Sequence, residues 1–170
     1  MENVTIRFAK DYDIEEMAEI HAIGKKEAYA GIIDDVYLNK SVNDKNYRLE
    51  QMLARYGTRS SIVAEQNGAV VGFIQWVFGN ESSGLGYAMS EVCSLYIHPN
   101  YKGRGIGSLL LDRVKALCKA ADCKNMQLYC LEQNTSAIGF YKKHGGTIVN
   151  KKMLEFGGKE YPAFVFLFNL

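Results

Sequence analysis

Between an apolar run and a helical pattern, the stretch Lys102-Gly103-Arg104-Gly105-Ile106-Gly107-Ser108 places three glycines at alternate positions. Glycine loses more conformational freedom on folding than any other residue, so such a run marks a backbone that must bend sharply or approach something closely. A strand, a glycine-rich turn and a helix start without a capping side chain leave several N–H groups free at the positive end of a helix dipole. That arrangement suits phosphate or pyrophosphate, and Lys102 and Arg104 add two cations beside it. Spacing excludes two common phosphate loops. A P-loop needs G-x-x-x-x-G-K-[ST], but Ser108 and Leu109 follow Gly107, so the gripping lysine is missing. A dinucleotide fingerprint needs G-x-G-x-x-G, yet the sixth position is Ser108 counted from Gly103 and Leu110 counted from Gly105.

Other clusters of reactive side chains are sparse. His21, His98 and His144 show no ligand spacing, and Cys93, Cys118, Cys123 and Cys130 form no C-x-x-C pair, so no metal site is expected. The cysteines read as reduced, buried small hydrophobes in a cytoplasmic protein. The net charge of +1 over 170 residues makes no electrostatic case for nucleic acid or an anionic membrane. The N-terminal MENVTIRFAK is unlike a signal peptide, and no apolar run approaches the length of a membrane span.

The elements that must hold the glycine loop follow from periodicity. Residues 4–9 alternate like a strand, and Asp13 is expected to cap a helix running to Tyr29 with Ile14, Met17, Ala18 and His21 on one face. A second helix is expected over residues 43–56. SSIVAEQ and AVVGFIQWVFG, joined by Asn67-Gly68, make a hairpin, because Asn-Gly suits a type I′ turn. A strand over residues 87–98 would carry Glu91, Cys93, Leu95 and Ile97 on one face. After the loop, residues 105–121 form a helix whose apolar stripe is Ile106, Leu109, Leu110, Val114, Leu117 and Cys118. NMQLYCLE is a strand, Asn134 caps the short helix TSAIGFYKKH, and a hairpin through Gly157-Gly158 ends the chain. The order β-α-α-β-β-β-α-β-α-β-β predicts an α/β fold over residues 1–170, one domain with a mixed, mostly antiparallel sheet flanked by helices.

On these residues the chain resembles a known family. LYIHPNYKGRGIGSLLL is similar to the acetyl-CoA-binding segment of the GNAT N-acetyltransferase superfamily, with its Q/R-x-x-G-x-G/A signature after a strand end. Lys102 stands where that family usually has Gln or Arg, which keeps a cation but not the planar hydrogen-bonding fork. NTSAIGFYKKHGG resembles the family's N-x-x-A-x-x-F-Y-x-x-x-G segment through Asn134, Ala137, Phe140, Tyr141 and Gly145, with Gly146 where Phe is usual. AYAGIIDDVYLNK is similar to a third segment, Y-x-G-I-I-P-x-x-Y-L.

The resemblance implies transfer of an acetyl group from acetyl-CoA to a primary amine of a small molecule or peptide by direct attack. It implies that the pyrophosphate lies on backbone N–H groups of Lys102, Gly103, Arg104, Gly105, Ile106, Gly107 and Ser108. The pantetheine arm would run along the strand at Leu95, Tyr96 and Ile97, with Asn134 touching the cofactor or serving as a plain helix cap. Most of an aliphatic amine is protonated at neutral pH, so a base helps. Glu91 is the expected base, on the same face as Leu95 and Ile97. Tyr141 is expected to protonate the departing thiolate, and strand N–H groups near Cys93 or Leu95 to stabilise the oxyanion. Tyr29, Ile32, Tyr37, Trp76 and Tyr87 would border the acceptor. Pairing of C-terminal strands would allow a homodimer. Two other readings stay open at this point: a non-catalytic acyl-CoA sensor on the same fold, and a nucleotide-binding protein.

Overall fold

The structure, a computed structural model, describes residues 4–79 and 89–170. Seven strands form one sheet: β1 (Val4–Phe8), β2 (Ser60–Gln66), β3 (Ala69–Phe78), β4 (Met89–Ile97), β5 (Asn125–Leu131), β6 (Thr147–Phe156) and β7 (Lys159–Asn169). Their spatial order is β1-β2-β3-β4-β5-β7-β6. Neighbours are antiparallel except β4 and β5, which are parallel. Helices α1 (Ile14–Tyr29), α2 (Asp35–Asn43) and α3 (Lys45–Tyr56) lie between β1 and β2, while α4 (Ile106–Ala120) and α5 (Thr135–Lys143) bracket β5. The mixed, mostly antiparallel sheet flanked by helices is the expected class, with one helix more than expected. Asp34 accepts from the Val36 N–H at 2.9 Å and starts α2, and Asp44 accepts from the Tyr47 N–H at 3.0 Å and starts α3. Two aspartate caps ten positions apart, Asp34 and Asp44, thus divide a segment that periodicity alone reads as linker plus one helix.

Each sheet face buries its own core. On one face α4 sets Ile106, Leu110, Leu111, Val114 and Cys118 against Ile62, Ile74, Trp76, Met126, Phe166 and Phe168. Leu109, expected in that stripe, is instead 49% exposed, and Leu111 takes its place at 0%. On the other face α1 and α3 bring Ile14, Met17, Ile20 and Met52 onto Val63, Val70 and Phe73. Burying side chains of this size stabilises by roughly 1.5–3 kcal/mol each, which fixes the sheet between the two helical layers.

Contrary to the expectation from the sequence, the Asp13 side chain does not cap α1. Its buried carboxylate instead accepts from Arg7 Nη1 at 2.6 Å and Nη2 at 2.8 Å, and from the Lys10 N–H at 2.7 Å. Burial alone raises the carboxyl pKa, but the guanidinium and the N–H outweigh it and hold Asp13 below its ordinary value. The bidentate pair ties β1 to the entry of α1.

The feature with most consequence lies in β4. Val92 pairs with Trp76 and Ser94 pairs with Gln75, leaving Cys93 as an extra residue opposite no partner. A bulge of this kind bends its strand and, because side chains alternate, exchanges the two faces beyond it. Leu95 and Ile97 therefore share the α4 face with Val92, and Glu91 points to the opposite face with Ser94 and Tyr96. This corrects the expectation that Glu91, Cys93, Leu95 and Ile97 share one face.

Gly146, where the resembling family usually has Phe, is also explained by packing. A Cβ there would stand 2.7 Å from Phe168 Cζ and 3.0 Å from Phe166 Cδ1. These β7 rings already occupy the space. Gly146→Ala is expected to destabilise by about 1–3 kcal/mol through overpacking. Urea unfolding should show a lower midpoint at unchanged slope, and an unchanged midpoint would reject the steric account.

Candidate active site

The parallel pairing of β4 with β5 stops early. It runs from Met89↔Asn125 to Val92↔Leu128, after which β4 stays with β3 and β5 with β7. The two strands splay from the Cys93 bulge onward and open a cleft of about 430 Å³. Its walls are β4 from Val92 to Ile97, Leu128 and Tyr129 of β5, and Asn134, Phe140 and Tyr141 at and on α5. Backbone groups of β4 facing β5 lack a strand partner there, so hydrogen-bonding capacity lines the cleft.

The glycine loop follows the end of β4. Gly103 and Gly105 adopt φ of +75° and +79°, left-handed geometry that a side chain disfavours. Gly107 lies inside α4 with ordinary φ, and a Cβ there would only touch Phe140 at 3.5 Å. Two of the three glycines are thus required by backbone shape. Gly105 sits at the cap position of α4, and no side chain accepts from the first turn. The helix start is uncapped, as expected, and its N–H groups are donors aimed out of the fold. Lys102 and Arg104 are less free than expected. Lys102 Nζ pairs with Glu27 Oε2 at 2.7 Å, and Arg104 Nη2 donates to the Asn100 carbonyl at 3.0 Å. Ile106 is 1% exposed, so it can offer a ligand its backbone but no side chain. Ser108 Oγ lies 3.0 Å from His144 Nε2.

Leu95, Tyr96, Ile97, Lys102 and Asn134 line the cleft, while residues 103–108 stand outside its walls. Asn134 is a helix cap in addition, with Oδ1 accepting from the Ala137 N–H at 3.2 Å. Tyr141 lines the cleft and packs against Phe140, Phe166 and Phe168 at ring separations of 5.4, 5.6 and 6.4 Å. Burial pushes its hydroxyl pKa strongly up, so it holds its proton through neutral and alkaline pH.

A second cleft of about 360 Å³ opens on the α1–α3 face of the sheet. Val92, Cys93, Ser94, Tyr96, Tyr29 and Tyr129 belong to both clefts, so the two meet at the bulge. Glu91 lies in the second, where its Oε2 accepts from Gln127 Nε2 at 2.8 Å. The same amide donates to the Tyr129 hydroxyl at 2.8 Å. Burial, then Glu91, pushes the Tyr129 pKa up to about 12. Tyr29 and Tyr96 share a hydrogen bond, and burial raises both.

Of the residues expected around an acceptor, Tyr29 and Tyr37 line the second cleft. Ile32 packs beneath it against the cluster of Ile33, Leu38, Leu131 and Ala163, and lines neither cleft. Trp76 is 1% exposed in the α4 core, because its pairing with Val92 turns it away from the α1 face. Tyr87 lies outside the described residues. Gln127 and Tyr129 escaped sequence reading, although two polar residues at i and i+2 in NMQLYCL mark one face of β5 as unlike a core strand. Lys25, four residues after His21 on the inner face of α1, gave a similar signal; Arg55 and Arg59 gave none. Among the described residues, no three His, Cys, Asp or Glu side chains are placed to hold a metal ion, and no helix is long and apolar enough to cross a membrane.

Comparison with known proteins agrees with this fold. The chain belongs to the acetyltransferase (GNAT) family, whose model matches residues 31–146, and it is accordingly an acyltransferase. The L-amino acid N-acyltransferase MnaT of Escherichia coli is 28% identical over 164 residues, covering 92% of this chain and 86% of that protein. Among solved structures, the PaiA N-acetyltransferase from Thermoplasma acidophilum in complex with coenzyme A superposes with a TM-score of 0.77 at 21% identity, covering 99% of each chain. YncA from Salmonella typhimurium with its cofactor acetyl-CoA gives 0.70 at 23% identity, covering 98% of this chain and 94% of that one. At such identities the structures share the fold.

Cys93 is half-buried, and Cys118, Cys123 and Cys130 are buried. Burial pushes the Cys118 and Cys130 thiols up to about 11 and about 12. Cys93 is raised as well, burial outweighing the nearby Arg59 charge. In the native protein one thiol, Cys93, should react with an aromatic disulfide, more slowly than free cysteine at pH 8 and faster as pH rises toward 10. Denaturation should release all four. Peptide mapping checks the assignment, and faster labelling of another cysteine would contradict it.

Proposed function

We propose that this chain is an acetyl-CoA-dependent N-acetyltransferase that moves the acetyl group to a primary amine of a small molecule or peptide by direct attack. The observation that carries this reading is the meeting of two clefts at the Cys93 bulge. One runs along the open edge of β4 toward an uncapped helix start, and the other holds a carboxylate on the far face of the sheet.

The residues fit the cosubstrate they would hold. N–H groups of residues 102–108 suit a pyrophosphate, the open edge of β4 at Leu95, Tyr96 and Ile97 suits the amides of a pantetheine arm, and the Asn134 amide reaches the same cleft. Acetyl-CoA supplies the activated thioester. The Lys102 charge is shared with Glu27, so the backbone donors carry more of the anion binding than the lysine.

The chain's own groups then manage protons. Glu91, directly or through one water, takes a proton from the acceptor's ammonium and leaves a neutral amine. The nitrogen forms a bond to the thioester carbon, the carbon–sulfur bond breaks, and β4 N–H groups near the bulge receive the developing oxyanion. Tyr141 donates its proton to the departing sulfur and regains one from the acetylated nitrogen through solvent. In sum, ammonium and thioester give amide, thiol and one released proton. Burial keeps the Tyr141 hydroxyl protonated across the working range; the same shift makes it a weaker acid, so its proton moves in concert with cleavage of the carbon–sulfur bond.

Tyr141→Phe is expected to lower kcat by about 10²- to 10⁴-fold while the Kd for acetyl-CoA changes about twofold or less. Glu91→Gln should reduce kcat/KM most below pH 8, where the amine depends on a base, with the loss narrowing as pH rises. Thiol release followed with an amine panel, beside calorimetric binding of acetyl-CoA, measures both. Tight binding without turnover of any amine would point to a sensor instead.

A further inference from the structure

The second cleft collects charges that no other described residue pairs. Lys25, Arg55 and Arg59 line it together with Glu91 and Glu155, and none of the five forms an ion pair with a described residue. Elsewhere Arg7 pairs with Asp13 and Glu65, Lys102 with Glu27, and Lys159 with Asp34.

The cations are placed at a cost. Lys25 is 6% exposed; its ammonium donates to the Tyr37 hydroxyl at 2.9 Å and lies over the rings of Tyr37 and Phe156 at 4.2 and 5.1 Å. One phenol and two ring faces replace only part of the hydration of a buried ammonium. Burial and then Arg55 push the Lys25 pKa down to about 8, so the two cations repel each other. Arg55 Nη1 stands 3.5 and 3.4 Å from the two ring nitrogens of His21, nearly equidistant, which is contact with a ring and not a linear hydrogen bond. Burial keeps that imidazole neutral, so it supplies no compensating charge of either sign. Two carboxylates, Glu91 and Glu155, line the same cleft but neither ion-pairs with the buried Lys25 or the half-buried Arg55, so a ligand that brings an anion to these two cations stabilises the fold.

We propose that the second cleft binds a small zwitterion: an acceptor whose carboxylate is received by Arg55 and Lys25 and whose amine is presented toward the Cys93 bulge. The acceptor is therefore a free amino acid. This rests on the acetyl-transfer reading and names the substrate class for it. Arginine's planar fork matches a carboxylate bidentately, and Glu91 and Glu155 supply the opposite charge for the ammonium. A cleft of about 360 Å³ equals the liquid volume of roughly a dozen waters at about 30 Å³ each, room for an amino acid. A polyamine would add positive charge beside three cations, and a peptide N-terminus would offer an amide carbonyl where the carboxylate belongs. Bond changes are those given above: C–N forms, C–S breaks, and the ammonium's charge leaves as a proton while the carboxylate stays in place.

The test uses matched acceptors on several side chains, for example L-leucine, L-leucinamide, 3-methylbutylamine and leucylglycine, with acetyl-CoA saturating and thiol release as readout. The expected result is a kcat/KM for one or more free acids at least 30-fold above the matched amide, decarboxylated amine and dipeptide. Arg55→Gln should collapse that acid-to-amide ratio at least tenfold, and Arg55→Lys should restore part of it. Equal or better turnover of the amide, amine or dipeptide overturns the proposal, as does an unchanged ratio in Arg55→Gln. A second arm is independent of turnover: thermal shift with the free acids in the presence of CoA. Stabilisation by acids over amides in the wild type, lost in Arg55→Gln, supports the zwitterion site even where no amine is acetylated, and the failure then falls on the transfer reading. No acid-specific shift and no acid-specific turnover together reject it.

Discussion

The early end of the β4–β5 pairing is the constraint on which the site depends. Four residue pairs hold the strands together, from Met89↔Asn125 to Val92↔Leu128, and then Cys93 bulges out of register against β3. From that point each strand keeps one neighbour and turns an open edge toward the other. An unpaired backbone group out of water costs roughly 1–3 kcal/mol, so such an edge persists where solvent or a ligand can reach it. The rest of the molecule is arranged to bear this interruption. α4 packs one face with Leu110, Leu111 and Val114, and α1 packs the other with Met17 and Ile20. With both layers pinned, β4 and β5 can diverge without the sheet coming apart.

The same bulge explains why two clefts of different chemistry touch. Beyond Cys93 the strand exchanges its faces, so Leu95 and Ile97 join the α4 core while Glu91 stays on the α1 side. One side of the junction offers backbone donors and a half-buried phenol at Tyr141; the other offers a carboxylate, a phenol at Tyr129 and three cations. A molecule on one side and an amine on the other would meet at the residue that lacks a strand partner. The cations come from α1, whose entry is joined to β1 through the Arg7–Asp13 pair, and from α3 and its exit.

What could be read in advance was local. Gly103 and Gly105 announce left-handed turns, and Ile106 to Cys118 announce an amphipathic helix, because φ preference and a 3.6-residue period act over a few residues. Asn67-Gly68 announces its hairpin for the same reason. Local pattern misleads where a one-residue change has a long reach. Alternation in SEVCSLYI is the same with or without a bulge, so the pattern alone puts Glu91 on the face of Leu95. Trp76 reads as a cleft aromatic until its partner Val92 turns it into the core. Two aspartates, Asp34 and Asp44, each begin a helix where periodicity predicts one.

By itself the sequence determined the order of the elements apart from α2, the uncapped glycine turn before α4, and the short helix that carries Tyr141. These follow from backbone preferences and periodicity, which are properties of neighbouring residues. Only the tertiary structure decided that Lys25, Arg55 and Arg59 share a cleft with Glu91, because they come from α1, from α3 and the turn after it, and from β4, whose meeting depends on the sheet's register. It decided as well that Lys102 gives part of its charge to Glu27 on α1. Spacing along a chain states what a loop's backbone can donate. Which charges stand across from it is set by packing between segments far apart in sequence.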